Sequence, residues 1–213
     1  MRIQKILAIP FFYNLLQNIV GAPRVMKKIV DEFIVPFPDM KILDVGCGTG
    51  SIRDYLPKDV SYFGVDINSE YIRIANEKCI IGCDFICADI NNLRDLFPND
   101  IEFDIIMAIA LIHHLDDNET IELLSGLYHL LKSEGVIITF DCVYVPNQSR
   151  IAKFIISKDR GKYARTYQEY MNLMNDDLYV KKGFLFNDLL RIPYDHCLFK
   201  LTKRGHDKAQ MSE

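Results

Sequence analysis

Apolar positions along the chain recur first with a helical period and then in short unbroken runs. Phe11, Phe12, Leu15, Leu16, Ile19 and Val20 repeat every three to four positions, the spacing that lays one face of a helix against a core. The opening Met1-Arg2-Ile3-Gln4-Lys5 and the apolar residues after it have the outline of a secretory leader. Pro10, Asn14, Gln17 and Asn18 break that apolar run, so the pattern predicts an amphipathic helix and not a leader. A second helical stretch covers residues 25–34 and stops at Pro36-Phe37-Pro38, because proline cannot continue a helix.

The period then changes. Residues 41–45, 60–65, 85–88, 103–109 and 135–140 are short apolar runs, and between them residues 69–78 and 118–131 are helical in pattern. In the second of these helices Ile121, Leu124, Leu127, Leu130 and Leu131 share one predicted core face. Apolar strands alternating with helices predict a parallel sheet covered on both faces, the doubly wound Rossmann-like α/β architecture. The last third departs from it: residues 150–157 and 167–174 read as helices, 179–186 and 195–202 as strands. The connection 187–194 is too short for a parallel crossover, so these strands are expected to be antiparallel. Residues 203–213 are polar and read as a tail.

Composition narrows the classes. The chain has 213 residues, 49% hydrophobic and 25% charged, with a net charge of -4. That describes one globular domain large enough to build its own core. An acidic balance argues against nucleic acid, whose sequence-independent binding rests on clustered cations. No run approaches the roughly 20 apolar residues of a spanning helix, so no stable membrane insertion is expected. Cys47, Cys79, Cys83, Cys87, Cys142 and Cys197 show no CxxC pair and read as reduced, buried thiols of a cytoplasmic protein.

Candidate chemistry begins at Asp44-Val45-Gly46-Cys47-Gly48-Thr49-Gly50, a glycine loop between a predicted strand and a predicted helix. Ligands of open α/β sheets bind at the carboxyl ends of strands, and glycine lets a ligand approach the backbone closely. Asp66 closes the next strand about 20 residues on, where an acid can accept from ribose hydroxyls. A nicotinamide-binding oxidoreductase places its acid similarly, but its fingerprint wants glycine or alanine where this chain has Ser51. Asp89 closes the third strand, with Ile67 and Ile90 nearby in sequence, and the fourth runs into Ile109-Ala110-Leu111-Ile112-His113-His114-Leu115.

Together these residues resemble the class I S-adenosylmethionine-dependent methyltransferases, small-molecule branch, over residues 40–142. The resemblance implies a seven-stranded sheet, mostly parallel with an antiparallel last strand, preceded by N-terminal helices, and S-adenosylmethionine as cofactor. It assigns cofactor binding to Asp44, Gly46, Cys47, Gly48 and Gly50, with Asp66 on the ribose, Ile67 beside the adenine, and Asp89 and Ile90 at its edge. Ala108 and Ala110 would meet the methionine amine. A single domain results: a helical lid over 1–38, the cofactor half over 40–142, acceptor-site elements and C-terminal strands over 143–202, and the tail.

For the acceptor, the sequence points to a small molecule, with a hydroxyl as the expected target and a monomer or homodimer as the working form. His113 and His114 stand at the mouth of the fourth strand as candidate general bases. Asp141 ends the fifth strand as a further catalytic candidate, and Tyr144 follows it into the acceptor pocket. The Asn/Asp-Pro-Pro-Tyr loop of enzymes that methylate bases or glutamine is replaced by Ala108-Ile109-Ala110-Leu111. No acidic cluster of the catechol type is visible, so no metal is expected. The insert Asp159-Arg160-Gly161-Lys162-Tyr163-Ala164-Arg165 makes Arg160 and Arg165 candidates for gripping an anionic acceptor. It resembles a segment of methyltransferase-like proteins from bacterial polysaccharide and cell-surface gene sets. Two other readings remain at this stage: an NAD(P)-dependent oxidoreductase, and a cofactor-binding protein without turnover.

Overall fold

Successive residues of a strand point to opposite sheet faces, and the central strands here are apolar on both. A computed structural model describes residues 21–79, 81–97, 101–159 and 161–205. The expected helix over 11–20, Asn14, Gln17, Arg160 and residues 206–213 lie outside that set. Helix α1 (Ala22–Ile29) continues as a π-helix (Val30–Ile34) and ends at Val35, whose φ is +50°. Strands β1 (Lys41–Val45), β2 (Ser61–Asp66), β3 (Cys83–Cys87), β4 (Phe103–Ile109) and β5 (Leu131–Tyr144) follow. Between them lie α2 (Ser69–Lys78), the single turn α3 (Leu93–Leu96) and α4 (Asp117–Leu130). The C-terminal part is α5 (Arg150–Ser157), the two-residue β6 (Arg165–Thr166), α6 (Tyr167–Leu173), β7 (Tyr179–Phe186) and β8 (His196–Lys203).

The sheet order is β3-β2-β1-β4-β5-β8-β7, with β6 pairing β5 off this path. β1 to β5 are mutually parallel, and β8 runs antiparallel to both β5 and β7. The doubly wound sheet with a reversed last strand is therefore present. The order reverses beside β1, where β4 joins on the side opposite β2. A crevice at the strand carboxyl ends is the ligand position of such sheets. One core, with Leu43, Val45, Ile106 and Leu127, lies on one face. The other, with Ile42, Tyr62, Met107 and Ile29, lies beneath α1.

Three local expectations change. The glycine loop opens into a 3-10 helix (Ser51–Tyr55) and not a full helix, because Pro57 disfavours helical backbone at Leu56, which is extended. In α4 Leu123 takes the inward position and Ile121 is 42% exposed. The cysteines divide: Cys142 and Cys197 are buried, Cys47 is half-buried and Cys87 is exposed. Cys79 and Cys83 lie side by side, their Cα atoms 6.4 Å apart, since the turn through Gly82 brings the end of α2 to the start of β3.

Candidate active site

β1 delivers Asp44 to the buried centre of the sheet, where the Tyr62 hydroxyl donates a short hydrogen bond to Asp44 Oδ2. Burial raises the Asp44 pKa to about 7; the Tyr62 bond opposes the rise and the Asp66 charge adds to it. The loop then turns back over β2, with the Gly46 and Cys47 amides donating to Val65 O at 2.8 and 3.1 Å. Gly48 N–H donates to Asp66 Oδ2 at 2.8 Å, and Asn68 N–H to Asp66 Oδ1 at 2.8 Å. Each carboxylate oxygen has two lone pairs, so both oxygens keep acceptor capacity while the backbone holds them in place.

The residues fit the implied cofactor. At Gly48 φ is +55°, and a Cβ there would meet nothing within 4 Å, so the loop leaves open a space that a side chain would fill. Ile67, immediately beyond Asp66, is an apolar side chain 70% exposed. β3 ends against β2 through Ala88 N–H on Asp66 O at 3.1 Å, which brings Asp89 and Ile90 to the same end of the sheet. The Asp89 carboxylate accepts from Asn91 N–H at 2.9 Å, capping a short 3-10 turn. Ala108 is buried, and Ala110 holds a left-handed φ of +54° with its N–H on Phe140 O at 2.7 Å. A non-glycine residue in that region marks a place where surrounding structure overrides local preference.

The acceptor end is continuous with this cradle: a Cβ on Gly46 would lie 2.9 Å from Leu111 Cδ1, two residues before His113. Buried Asp141 Oδ1 receives His113 N–H at 3.1 Å and lies 2.7 Å from His113 Nδ1. On the far side of the ring, His113 Nε2 lies 3.3 Å from Asp159 Oδ1. Gly161 N–H and the Tyr194 hydroxyl fix that second carboxylate at 3.0 and 2.8 Å. Burial works against a charge on His113, but the hydrogen bonds and charges of Asp141 and Asp159 outweigh it and raise its pKa to about 9. Asp159 is held well below the usual carboxylate range: burial pushes it up, and the bonds from His113, Gly161 and Tyr194 more than reverse this. His113 is thus clamped between two acids that favour its protonated form. With both ring nitrogens engaged it is a poor general base, which corrects the expectation for this residue.

His114 is exposed, its ring 4.3 Å from that of His113. His113, His114 and Asp159 each bring one ligand-type atom within 4.8 Å of the others, but both ring nitrogens of His113 already face carboxylates, so that ring has no lone pair left for a cation. Tyr144 is half-buried, and burial together with the charges of Cys142 and Asp159 raises its pKa.

The insert behaves differently from a free basic loop. Gly161 packs so closely that a Cβ would come 1.9 Å from His113 Cδ2, and Tyr163 N–H donates to His113 O at 3.0 Å. Arg165 is buried and spends its guanidinium on Asp117 Oδ1 (3.0 and 2.7 Å), Ile112 O (3.3 Å), Tyr163 O (3.0 Å) and Leu115 O (2.9 Å). All five donors of the planar fork are committed, so Arg165 is a staple of the loop and not a grip on an acceptor. The expectation for Arg160 falls outside the described residues. Asp159 and Tyr194, which no motif marks in the sequence, join this cluster in the structure. The insert is conspicuous in sequence for its cations, but it is its acid that faces His113, and Tyr194 sits in a connection that carries no motif.

Comparison with known proteins agrees with this geometry. A family model described as a methyltransferase domain matches residues 42–135. The cyclopropane-fatty-acyl-phospholipid synthase of Escherichia coli strain K12 is 31% identical over 123 residues, 57% of this chain. The chain spans about a third (31%) of that synthase's length. A solved S-adenosylmethionine-dependent methyltransferase from Archaeoglobus fulgidus superposes with a TM-score of 0.70 at 18% identity, covering 90% of this chain and 100% of the other. The plantazolicin methyltransferase BamL, solved with a triazolic desmethylPZN analogue and SAH, gives 0.63 at 16% identity, covering 85% and 83%. At these identities the two structures share the fold.

Proposed function

We propose that the chain is a class I S-adenosylmethionine-dependent methyltransferase and that it moves a methyl group to a hydroxyl of a small-molecule acceptor bound beside His113, Asp159 and Tyr194. The observation that carries this reading is the continuity of two preorganised halves. Asp66 is held by Gly48 N–H at one end, and the Asp141–His113–Asp159 clamp lies at the other. The cofactor supplies a methyl group already activated on a sulfonium. The protein's task is then to hold a nucleophile in line, and positioning of this kind is worth about 7–11 kcal/mol of a barrier.

Asp44, the glycine loop, Asp66, Ile67, Asp89 and Ile90 bind the cofactor in this reading. Asp159 and Tyr194 orient the acceptor oxygen, and the imidazolium of His113 fixes Asp159. His114, exposed at the mouth, is the candidate proton acceptor. Tyr144 lines the pocket. The working form is a monomer or homodimer in the cytoplasm, and its acceptors lie in polysaccharide or natural-product chemistry.

The experiment is a screen for S-adenosylhomocysteine release from S-adenosylmethionine with hydroxylated, phosphorylated and amine-bearing small molecules. Hydroxylated acceptors are expected to turn over, with Asp159→Asn and His114→Ala lowering kcat while cofactor affinity stays within about twofold. Turnover confined to amines overturns the hydroxyl assignment. Cofactor binding without release in any mixture overturns the enzymatic reading.

A further inference from the structure

From the end of β5 to the start of β6 the chain carries Arg150, Lys153, Lys158, Arg160 and Lys162, with Arg165 opening β6, against a single acid, Asp159, in a protein whose overall charge is -4. Arg165 and Asp159 are turned inward, as described above. Helix α5 gives the rest of this segment its shape. Ala152 and Ile156 are buried and hold it on the protein, and Ser149 caps its start by accepting Ala152 N–H at 3.1 Å. The opposite face exposes Ile151 and Phe154, at 61% and 63%, three positions apart. Arg150, Lys153 and Lys158 are exposed around them, and Lys158 Nζ lies 5.8 Å from the centre of the Phe154 ring. Lys162 is exposed beyond the end of the helix.

Two large apolar side chains projecting from a ring of cations suit a surface that is negatively charged outside and apolar beneath. A polyanion such as nucleic acid would meet the cations but has no use for the exposed apolar pair Ile151 and Phe154, three positions apart on one helix face. Ile151 and Phe154 face solvent and contribute little to the core, so this apolar pair is available to a partner. Helix α5 also ends directly at Asp159, whose N–H donates to Ile156 O at 3.0 Å and whose carboxylate meets His113. A surface contacting α5 therefore lies beside the acceptor end of the site.

We infer that α5 docks this protein peripherally on an anionic lipid bilayer, with Ile151 and Phe154 entering the interface and Arg150, Lys153 and Lys158 over the headgroups. Docking is shallow and reversible, since one short helix without a lipid anchor gives only modest affinity. It is independent of methyl transfer, and vesicle binding reads it without any turnover.

The test is co-sedimentation of the full chain with vesicles of phosphatidylcholine alone and of phosphatidylcholine with 30% phosphatidylglycerol, at low and at 0.5 M salt, about 10 Å and 4 Å of screening length respectively. Binding is expected on the anionic vesicles at low salt, with loss at high salt and little on phosphatidylcholine alone. Each cation near the surface contributes about fivefold in partitioning, so the double variant Lys153→Glu, Lys158→Glu is expected to lose roughly 25-fold or more. Phe154→Ser is expected to weaken binding with the cations intact. Unchanged S-adenosylhomocysteine affinity in these variants certifies their fold. The proposal is overturned by absence of binding to anionic vesicles at low salt, by equal binding of wild type and variants, or by Phe154→Ser binding like wild type while a short DNA duplex competes the vesicles off.

Discussion

Replacing Asp141 with asparagine removes one of the two charges that hold His113 protonated while keeping an oxygen that can accept from His113 N–H and Nδ1–H. In the wild type the His113 pKa rises from 6.5 to about 9, and at about 1.4 kcal/mol per unit this favours the folded, protonated form by roughly 3 kcal/mol. The depressed Asp159 carboxyl reports the same contact and is not counted again. Because the folded pKa lies above the unfolded one, this stabilisation is fully present below pH 6.5, declines between 6.5 and 9, and is gone above 9. With Asp159 still in place, Asp141→Asn is expected to remove about half of it, on the order of 1–2 kcal/mol. Urea unfolding should show that loss at pH 6 and little difference between the two proteins at pH 10. Ring-nitrogen NMR of His113 should show its titration moving down toward neutrality in the variant. A loss of stability equal at pH 6 and pH 10, or a wild-type His113 titrating near 6.5, would refute the clamp.

Three further changes probe the frame around the site. Gly48→Val places a branched side chain at a left-handed φ and in the open cradle; circular dichroism should stay native while calorimetry finds S-adenosylhomocysteine binding abolished. Gly161→Ala drives a Cβ into the His113 ring, and overpacking of this kind costs about 1–3 kcal/mol, so thermal unfolding should occur several degrees lower and unchanged melting would show that the loop has room. Arg165→Lys gives up the planar fork that reaches Asp117 and three carbonyls, a loss on the order of 2 kcal/mol. Denaturation should register that loss with cofactor affinity intact; full stability would mean the staple is dispensable.

The cofactor half was legible because its signals are local. Glycines at 46, 48 and 50 and acids at strand ends follow from backbone geometry within a few residues, and the parallel strands announce themselves as continuous apolar runs. The last two strands were readable from the shortness of their connection. The acceptor end depends on contacts between distant segments. Asp159 meets His113 across 46 positions, Tyr194 reaches Asp159 across 35, and Arg165 turns inward onto Asp117, 48 positions away. Nothing in the spacing of Asp159-Arg160-Gly161 tells which of its charges faces the protein. Pro57 could have shortened the expected helix after the loop, since its effect on Leu56 is local. The approach of Cys79 to Cys83 depends on the turn at Gly82, which the sequence marks only as an interruption.

Calorimetric titration of S-adenosylhomocysteine into the wild type and Asp66→Ala tests the central claim most directly. Each charge-assisted hydrogen bond from a ribose hydroxyl to Asp66 is worth about 1.5–3 kcal/mol, so the wild type should bind with one site per chain and the variant at least tenfold more weakly. Absence of binding to the wild type, or equal affinity in the variant, would contradict a cofactor seated between the glycine loop and Asp66.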